Sequence, residues 1–283
     1  MSAPLIHSLN CGSMCSRNAV RIGIVEPDPG HLVCHCLLIE SADGLILLDT
    51  GYGMGDIRDP RRLGPARHLL GAALDPAQTA IAQLKARGHD PADVRHILTT
   101  HLDLDHAGGL SDFPDADVHV HSVELAAAQR RRVDTRLRYR PGQWAHNPKW
   151  VTHDTSGEPW FGFDQVRVLE GVGIEIAMIA LPGHTAGHAG YAINTGDGWL
   201  LHAGDSYVQR GEVAWPTTTT RGRRFYHAVN SSDTKLRQAN ADRLAELHRD
   251  HGDEITLFCS HDAAEYETQL NASRSVGESV PAQ

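Results

Sequence analysis

The chain has 283 residues and a formal net charge of -9, since 26 Lys and Arg stand against 35 Asp and Glu. Its 41% hydrophobic and 22% charged residues are typical of a globular protein and exclude a long disordered chain. The acidic balance disfavours nucleic-acid partners, which need a basic surface, and no apolar run approaches the roughly 20 residues that cross a membrane. The 19 His are a first indication of metal or proton chemistry.

The cysteines and the first residues indicate the compartment. The five Cys are an odd number without a Cys-x-x-Cys pair, which predicts reduced thiols. Cys34 and Cys36 share one face of a predicted strand, where two small buried side chains are favoured over a metal site. The first residues lack a basic stretch followed by an apolar core, so we expect no signal peptide and a cytoplasmic protein.

The first half of the chain begins with predicted strands. Two β-prone runs, Val33–Ile39 and Leu45–Leu48, flank a turn that contains Gly, which predicts a hairpin. A loop rich in Gly, Arg and Pro is predicted for residues 52–71. Asp75, followed by a Pro, then predicts the start of a helix that stops at Gly88.

Two further predicted strands, Ile97–Thr100 and Val118–His121, lead into a segment of different composition, residues 130–163. This segment carries six Arg, three Trp and two Phe, namely Arg130, Arg131, Arg132, Arg136, Arg138, Arg140, Trp144, Trp150, Trp160, Phe161 and Phe163. It is either a lid or pocket wall with a basic and aromatic lining, or an insertion whose aromatic side chains pack onto the domain.

The second half resumes the strand pattern. Strands are predicted at Val166–Leu169, Ile174–Leu181, Gly190–Ile193, Trp199–Ala203 and Ile255–Cys259. A helix is predicted near Ala239–Arg249, and residues 272–283 are polar and expected to fray. Each half therefore combines strands with flanking helices, which predicts an α/β sandwich of two similar halves and a single domain over residues 1–283.

One cluster of polar residues follows a predicted strand directly. His101, Asp103, Asp105 and His106 lie within six residues after Ile97–Thr100. Two imidazoles and two carboxylates so close together are unfavourable unless a positive charge binds between them. A solvated acidic loop is the alternative, but interleaved Leu residues and a Gly-Gly pair after the cluster disfavour it.

Three other predicted strands also end in metal-capable side chains. His184 and His188 follow one strand, Asp205 follows the next, and His261 follows the last. A single histidine at a strand end is more often a hydrogen-bonded structural residue than a ligand. Together these residues indicate one site, because active sites of layered α/β folds collect at strand ends.

Five motifs, in their order along the chain, resemble those of the metallo-beta-lactamase fold hydrolases. They are Leu48-Asp-Thr-Gly51, His101-x-Asp103-x-Asp105-His106, Pro182-Gly-His184-Thr-Ala-Gly-His188, Ala203-Gly-Asp205-Ser206 and Cys259-Ser-His261-Asp262. The resemblance covers nearly the whole chain. It implies an αββα sandwich with a metal site at one edge.

The resemblance also implies two divalent metal ions. The ligands implied for metal one are His101, Asp103 and His184, those for metal two are Asp105, His106 and His261, and Asp205 bridges the two ions. Asp49 is expected to orient a ligand histidine through a hydrogen bond, although a plain turn carboxylate is the alternative. His188 is expected beside the site or in a structural role.

Asp103 departs from the usual family pattern, His-x-His-x-Asp-His, which has His at this place. A third carboxylate makes the site with two ions and a bridging hydroxide neutral rather than positive. Zinc is the expected metal, and the harder ligand makes iron or manganese the alternative.

Such a site implies hydrolysis of a small molecule by a hydroxide that bridges the metals, with Asp105 taking or relaying the proton. The lactonase-like branch, which includes acyl-homoserine lactonases, resembles the chain most, so opening of a lactone or cleavage of a small carboxylic ester is expected. Those lactonases have a Tyr three residues after the bridging Asp, whereas Tyr207 lies two after Asp205, so an oxyanion contact and a packing role both remain open.

Other functions stay as alternatives. A phosphodiesterase or a thioesterase would use the same fold, and a metal-binding scaffold without catalysis is the alternative outside enzymes. We expect no nucleic-acid partner and no membrane, and a homodimer is compatible with the sequence.

Overall fold

The computed structural model describes residues 4–15, 17–130, 138–155, 157 and 159–278. Within these ranges the chain forms two sheets with helices on their outer faces, in agreement with the predicted sandwich. No helix in the described ranges is both long and apolar enough to cross a membrane.

The first sheet is built by the first half of the chain and has its six strands in sequence order. Its strands β1 to β3 are antiparallel, and β3 to β6 are parallel to one another. The strands are β1 Leu5–Met14, β2 Leu32–Ser41, β3 Gly44–Leu48, β4 Val94–Leu98, β5 Asp117–His121 and β6 Lys149–His153.

The second sheet is built by the second half and has the spatial order β11-β10-β9-β8-β7. Neighbouring strands are antiparallel except β10 and β11, which are parallel. The strands are β7 Val166–Val168, β8 Ile176–Ala180, β9 Ala189–Asn194, β10 Trp199–His202 and β11 Ile255–Phe258.

The described α-helices are mostly short in the first half and longer in the second. They are α1 Arg17–Arg21, α2 Met54–Arg58, α3 Ala66–Leu70, α4 Ala80–Ala86, α5 Ser122–Gln129, α6 Arg221–Asn230, α7 Thr234–His251 and α8 Ala263–Glu278. Side-chain caps fix several of their starts. Thr79 accepts from the backbone N–H of Ala82, and Asp233 accepts from that of Leu236.

Three layers of apolar side chains hold the sandwich together. The layer between the sheets contains Leu37 of β2, Leu98 of β4 and Tyr191 of β9. Two outer layers join each sheet to its helices, with Leu84 of α4 on the first sheet and Leu244 of α7 on the second. Both sheets are therefore covered on both faces, and their strand ends are the positions left for polar side chains.

Several predicted elements are confirmed and others are corrected. The hairpin appears as β2 and β3. The predicted loop at residues 52–71 instead contains α2, a 3-10 turn at Pro60–Leu63 and α3, because helices of five residues are too short for an apolar stripe to show in the sequence. The helix predicted at residues 239–249 is longer at both ends, and α8 extends to Glu278, past the expected start of the frayed tail. Residues 279–283 lie outside the described residues.

The Arg-rich and aromatic segment is partly described. Residues 131–137, with three of its six Arg, lie outside the described residues. Trp144 and Trp150 pack against the core of the first sheet, and Trp160 and Phe161 pack against that of the second. These aromatic side chains therefore pack the segment onto the domain, whereas the Arg138 side chain contacts Asp103 of the predicted site.

Candidate metal centre

The predicted site residues lie at one edge of the sandwich, in loops that leave the carboxyl ends of strands. In the first sheet, Asp49 follows β3 and His101 follows the parallel neighbour β4. In the second sheet, Asp205 follows β10 and His261 follows the parallel neighbour β11. His184 follows β8 in the same way. Because these ends meet at one edge, residues far apart in sequence share one site.

Two groups of buried side chains present their ligand atoms to each other. In each group the ligand atoms lie within 4.8 Å of one another. One group is His101, His184 and Asp205, and the other is Asp105, His106 and His261.

Asp205 joins the two groups through both of its oxygens. Oδ2 lies 3.4 Å from His184 Nε2 and 3.0 Å from His261 Nε2. Oδ1 lies 3.4 Å from His106 Nε2. This position between the groups is the one that a bridging carboxylate needs.

Three of the candidate ligand atoms lack a hydrogen-bond partner among the described residues. His101 Nε2, His106 Nε2 and Asp205 Oδ1 are buried and unpaired. Leaving buried polar atoms unpaired is costly, so such a cluster fits a bound cation. Imidazole nitrogens with carboxylate oxygens are ligands that zinc and other divalent transition metals take. The residues present therefore fit the implied metal ions.

Asp49 and Thr100 orient two of the histidines. Asp49 Oδ2 lies 2.8 Å from His106 Nδ1 and accepts the Thr100 hydroxyl at 2.7 Å. The Thr100 oxygen in turn lies 2.9 Å from His101 Nδ1. These contacts hold the protons on the two Nδ1 atoms and aim the Nε2 lone pairs at the cluster. Asp49 thus lies where the resemblance placed it.

Backbone contacts orient the second-half side chains. His261 Nδ1 donates to the carbonyl of Val33 at 2.8 Å, which leaves Nε2 to face Asp205. His188 lies behind the cluster, where its Nδ1 donates to a carbonyl at 3.0 Å and its Nε2 accepts from the backbone N–H of Asp205 at 2.8 Å. His188 therefore positions Asp205. Gly204 has a φ of +56°, and a Cβ there would lie 2.4 Å from His188 Nε2, which explains the Ala-Gly-Asp sequence.

The carboxylates set the protonation of the histidines when metal is absent. Burial lowers the pKa of His106, but Asp205, Asp49 and Asp105 outweigh it and raise the pKa to about 10. Burial, reinforced by the Arg138 guanidinium, lowers the pKa of His184 to about 3. A metal ion bound here would therefore displace a proton from His106 but meet a neutral His184.

Arg138 is a site residue that we did not single out from the sequence. Its Nη1 donates to Asp103 Oδ2 at 2.5 Å and lies 3.1 Å from His184 Nε2. Burial would raise the pKa of Asp103, but Arg138 holds it well below the usual range. The available signal was Asp103 itself, a carboxylate where the family has a neutral imidazole, which calls for an extra cation.

Glu124 of α5 is a second residue that sequence reasoning missed. It is fully buried and accepts from the backbone N–H of Leu102 at 3.0 Å and from that of Gly187 at 3.1 Å. It also accepts the Tyr139 hydroxyl at 3.1 Å. One carboxylate thus ties together the loops that carry His101 and His184. No local pattern around a single Glu on a helix predicts this.

Tyr207 does not lie at the cluster. It is fully buried, and its hydroxyl donates to Glu265 at 3.0 Å. The side chain lies in the core beside α7, as the packing alternative predicts. For a different tyrosine, Tyr226 of α6, burial and the Asp205 and Asp105 carboxylates raise the pKa well above the ordinary value.

Comparison with known proteins identifies the family. The model of the metallo-beta-lactamase superfamily matches residues 29–248. The probable metallo-hydrolase Rv2300c of Mycobacterium tuberculosis is 41% identical over 263 residues, which cover 93% of this chain and 81% of that protein. The N-acyl homoserine lactonase AttM of Rhizobium johnstonii is 28% identical over 180 residues, which cover 59% of each protein.

Solved structures show the same fold. An N-acyl homoserine lactone hydrolase, with the product N-hexanoyl-L-homoserine bound at its catalytic metal centre, superposes with a TM-score of 0.68 at 22% identity and covers 95% of this chain and 97% of its own. AidC, a dizinc quorum-quenching lactonase, superposes with a TM-score of 0.63 at 17% identity, over 93% of this chain and 89% of its own. The predicted fold and the prediction of a metal-dependent hydrolase are thereby confirmed. Because the family model spans most of the chain and a relative at 41% identity aligns over 93% of it, the chain belongs to the metallo-beta-lactamase superfamily.

Proposed function

We propose that the protein is a metal-dependent hydrolase that opens lactones, with small carboxylic esters as the next substrate class. The observation that carries this proposal is the pair of buried His and Asp groups joined by Asp205. Relatives named N-acyl homoserine lactonases support the substrate class. So does the related structure that holds a homoserine product at its metal centre.

The proposed ligands follow the two groups. Metal one would be held by His101, His184 and Asp205, with Asp103 added, and metal two would be held by Asp105, His106, His261 and Asp205. When bound, the ions supply a water of lowered pKa and polarise the substrate carbonyl. Zinc is the proposed metal, and iron or manganese is the alternative that Asp103 introduces.

Four side chains of the protein have proposed roles in proton transfer and in orienting the ligands. Asp105 Oδ2 lies 3.7 Å from His261 Nε2, and its side chain is 11% exposed, so it is the proposed group that takes the proton and passes it to the leaving group. Asp49 and Thr100 hold the histidines in the tautomer that binds metal. His188 fixes the backbone of Asp205, so the carboxylate stays between the two groups.

The test is acid release in a pH-stat by protein loaded with zinc. N-hexanoyl homoserine lactone, a phenyl ester, a thioester and bis(4-nitrophenyl) phosphate are compared as substrates. We expect turnover of the lactone, loss of turnover after chelation, and a loss of at least about a hundredfold in His106→Ala. His248→Ala, a change at an exposed helix position, is the matched control and should keep the activity.

The same experiment separates the alternatives. Turnover of the phosphodiester or the thioester alone would move the protein to another branch of the superfamily. Binding of zinc without turnover of any of the four would support a metal-binding scaffold. Absence of acid from every lactone and ester contradicts the proposed function.

We further propose a single domain over residues 1–283 that acts in the cytoplasm on small molecules, with no nucleic-acid partner. The five cysteines are free thiols, four of them buried, which supports a reducing compartment. A homodimer is the proposed assembly, and sedimentation at micromolar concentration tests it.

A further inference from the structure

The Asp103 carboxylate pairs with a positive side chain of the protein itself. Arg138 Nη1 donates to Asp103 Oδ2 at 2.5 Å and lies 3.1 Å from His184 Nε2. These are the two atoms that metal one would bind, since Asp103 Oδ2 and His184 Nε2 are themselves only 3.1 Å apart. The Arg138 guanidinium thus contacts the same two atoms that would bind metal one.

Arg138 is held in this place by its surroundings. The backbone of the next residue, Tyr139, pairs with Asp103 in an isolated antiparallel bridge. The Tyr139 hydroxyl is anchored on the buried Glu124. Arg138 Nη2 donates to the carbonyl of Asn230 at the end of α6, and the side chain is 17% exposed. The guanidinium therefore has three partners, namely Asp103, His184 and the carbonyl of Asn230.

An ion at metal one and Arg138 in this position exclude each other. Zinc binds nitrogen and carboxylate oxygen at about 2.0–2.2 Å. An ion at that distance from both His184 Nε2 and Asp103 Oδ2 would lie within about 4 Å of Nη1, wherever it sat around the pair. A guanidinium cannot lose its proton and cannot act as a ligand. Two cations so close in a buried site repel each other strongly.

Among the proposed ligand side chains alone, one ion balances the charges. Three carboxylates, those of Asp103, Asp105 and Asp205, are neutralised by one divalent ion together with the Arg138 guanidinium. With a second divalent ion and a bridging hydroxide, these three carboxylates and Arg138 would together carry one excess positive charge. The second group of ligands, around His106 and His261, has no such competing cation among the described residues.

We infer that Arg138 is a built-in cation that competes with metal one for Asp103 and His184, so that the centre holds one ion tightly at metal two and a second ion weakly. This inference rests on the metal centre of the proposed function, but not on the substrate. It also gives a reason for Asp at position 103, because an imidazole there would face the guanidinium without a balancing charge.

The test counts metal ions instead of measuring hydrolysis. Metal-free protein is titrated with zinc against a chromophoric chelator, and metal content is then measured after exhaustive dialysis. We expect one zinc ion per chain after dialysis, and a second site that binds at least roughly tenfold more weakly. In Arg138→Gln the second site should gain roughly tenfold or more in affinity, and about two ions should survive dialysis.

Two variants separate charge from general disruption. Arg138→Lys keeps a cation beside Asp103 and should stay close to the parent protein. Arg243→Gln removes an Arg that stacks over Phe163, a residue of the outer layer on the second sheet. This variant should leave the zinc affinities of both sites unchanged. Circular dichroism and the melting temperature check that each variant is folded.

The results that would overturn the inference are distinct from those that concern the proposed function. Two zinc ions bound with equal affinity by the parent protein would overturn it without any variant, as would an unchanged second site in folded Arg138→Gln. In both cases the metal centre stands. Failure of the parent protein to bind any zinc would overturn the metal centre as well.

Discussion

Replacement of Asp49 by Asn tests how the protein prepares its histidines for metal. Asp49 has a φ of +56°, a left-handed conformation that Asn also tolerates, so the change should preserve the backbone. One oxygen of Asn can still accept the Thr100 N–H, which Asp49 Oδ1 accepts at 2.8 Å. The amide nitrogen must then take the place of Oδ2, which accepts from His106 Nδ1 and from the Thr100 hydroxyl.

The new donor reverses the hydrogen bonds behind the site. His106 Nδ1 must now accept, so its proton moves to Nε2, the atom that faces Asp205 and would bind metal two. Loss of such an orienting partner costs about 10–100-fold in metal affinity. This corresponds to about 1.4–2.7 kcal/mol of binding free energy.

The assay is competition of Asp49→Asn with a chromophoric chelator for zinc, alongside nitrogen NMR of the histidine tautomers. Asp253→Asn, an exposed change of the same chemistry, is the control and should bind zinc as the parent protein does. If Asp49→Asn binds zinc with parental affinity and keeps the proton on His106 Nδ1, Asp49 does not orient the ligand and the reasoning is refuted.

Three further predictions concern protonation and packing. Burial raises the pKa of Glu265 to about 8. Because this folded pKa is above the unfolded one, stability should fall by about 4 kcal/mol between pH 4.5 and 8. The neutral Glu265→Gln should remove this slope from urea unfolding of the metal-free protein, and an equal slope in both proteins would contradict it. Tyr207→Phe should lose about 1–2 kcal/mol of stability but keep kcat/KM within about threefold, so a large loss of kcat in a stable variant would restore the oxyanion role. The pKa of about 10 for His106 means that zinc displaces a proton, so affinity should rise with pH between 6 and 9; calorimetry in buffers of different ionisation enthalpy checks the released proton, and equal heats would contradict it.

The sequence was sufficient to locate the candidate ligands because their signals are local. His101 to His106 follow a buried strand directly, and the strand ends carry His184, Asp205 and His261. Parallel neighbours bring such ends to one edge, so the fold class and the grouping of the ligands could be predicted together.

Contacts between distant segments were not predictable in the same way. Arg138 lies 35 residues after Asp103 in a segment with many Arg, and sequence alone does not show which of them turns inward. Glu124 accepts hydrogen bonds from residues of three separate loops. For Tyr207, the spacing after Asp205 left both roles open, and its hydrogen bond to Glu265 is visible only in the packed structure.

Short helices and irregular strands could also not be predicted from the sequence patterns. The helices α2 and α3 have five residues each, which is too short for an apolar stripe to show. The strand β1 has a bulge between Asn10 and Ser13 that interrupts its alternation. Tertiary packing stabilises these elements, so their local propensity is a weak guide.

Anomalous diffraction at the zinc edge from crystals of zinc-loaded protein tests the central claim most directly. Our account predicts a strong peak about 2.0–2.2 Å from His106 Nε2, His261 Nε2 and a carboxylate oxygen of Asp205. A weaker peak beside His101 and His184 should gain strength in Arg138→Gln. Absence of anomalous density at both of these positions, with zinc found only at the half-buried surface cluster His7, Glu40 and His89, would contradict the account.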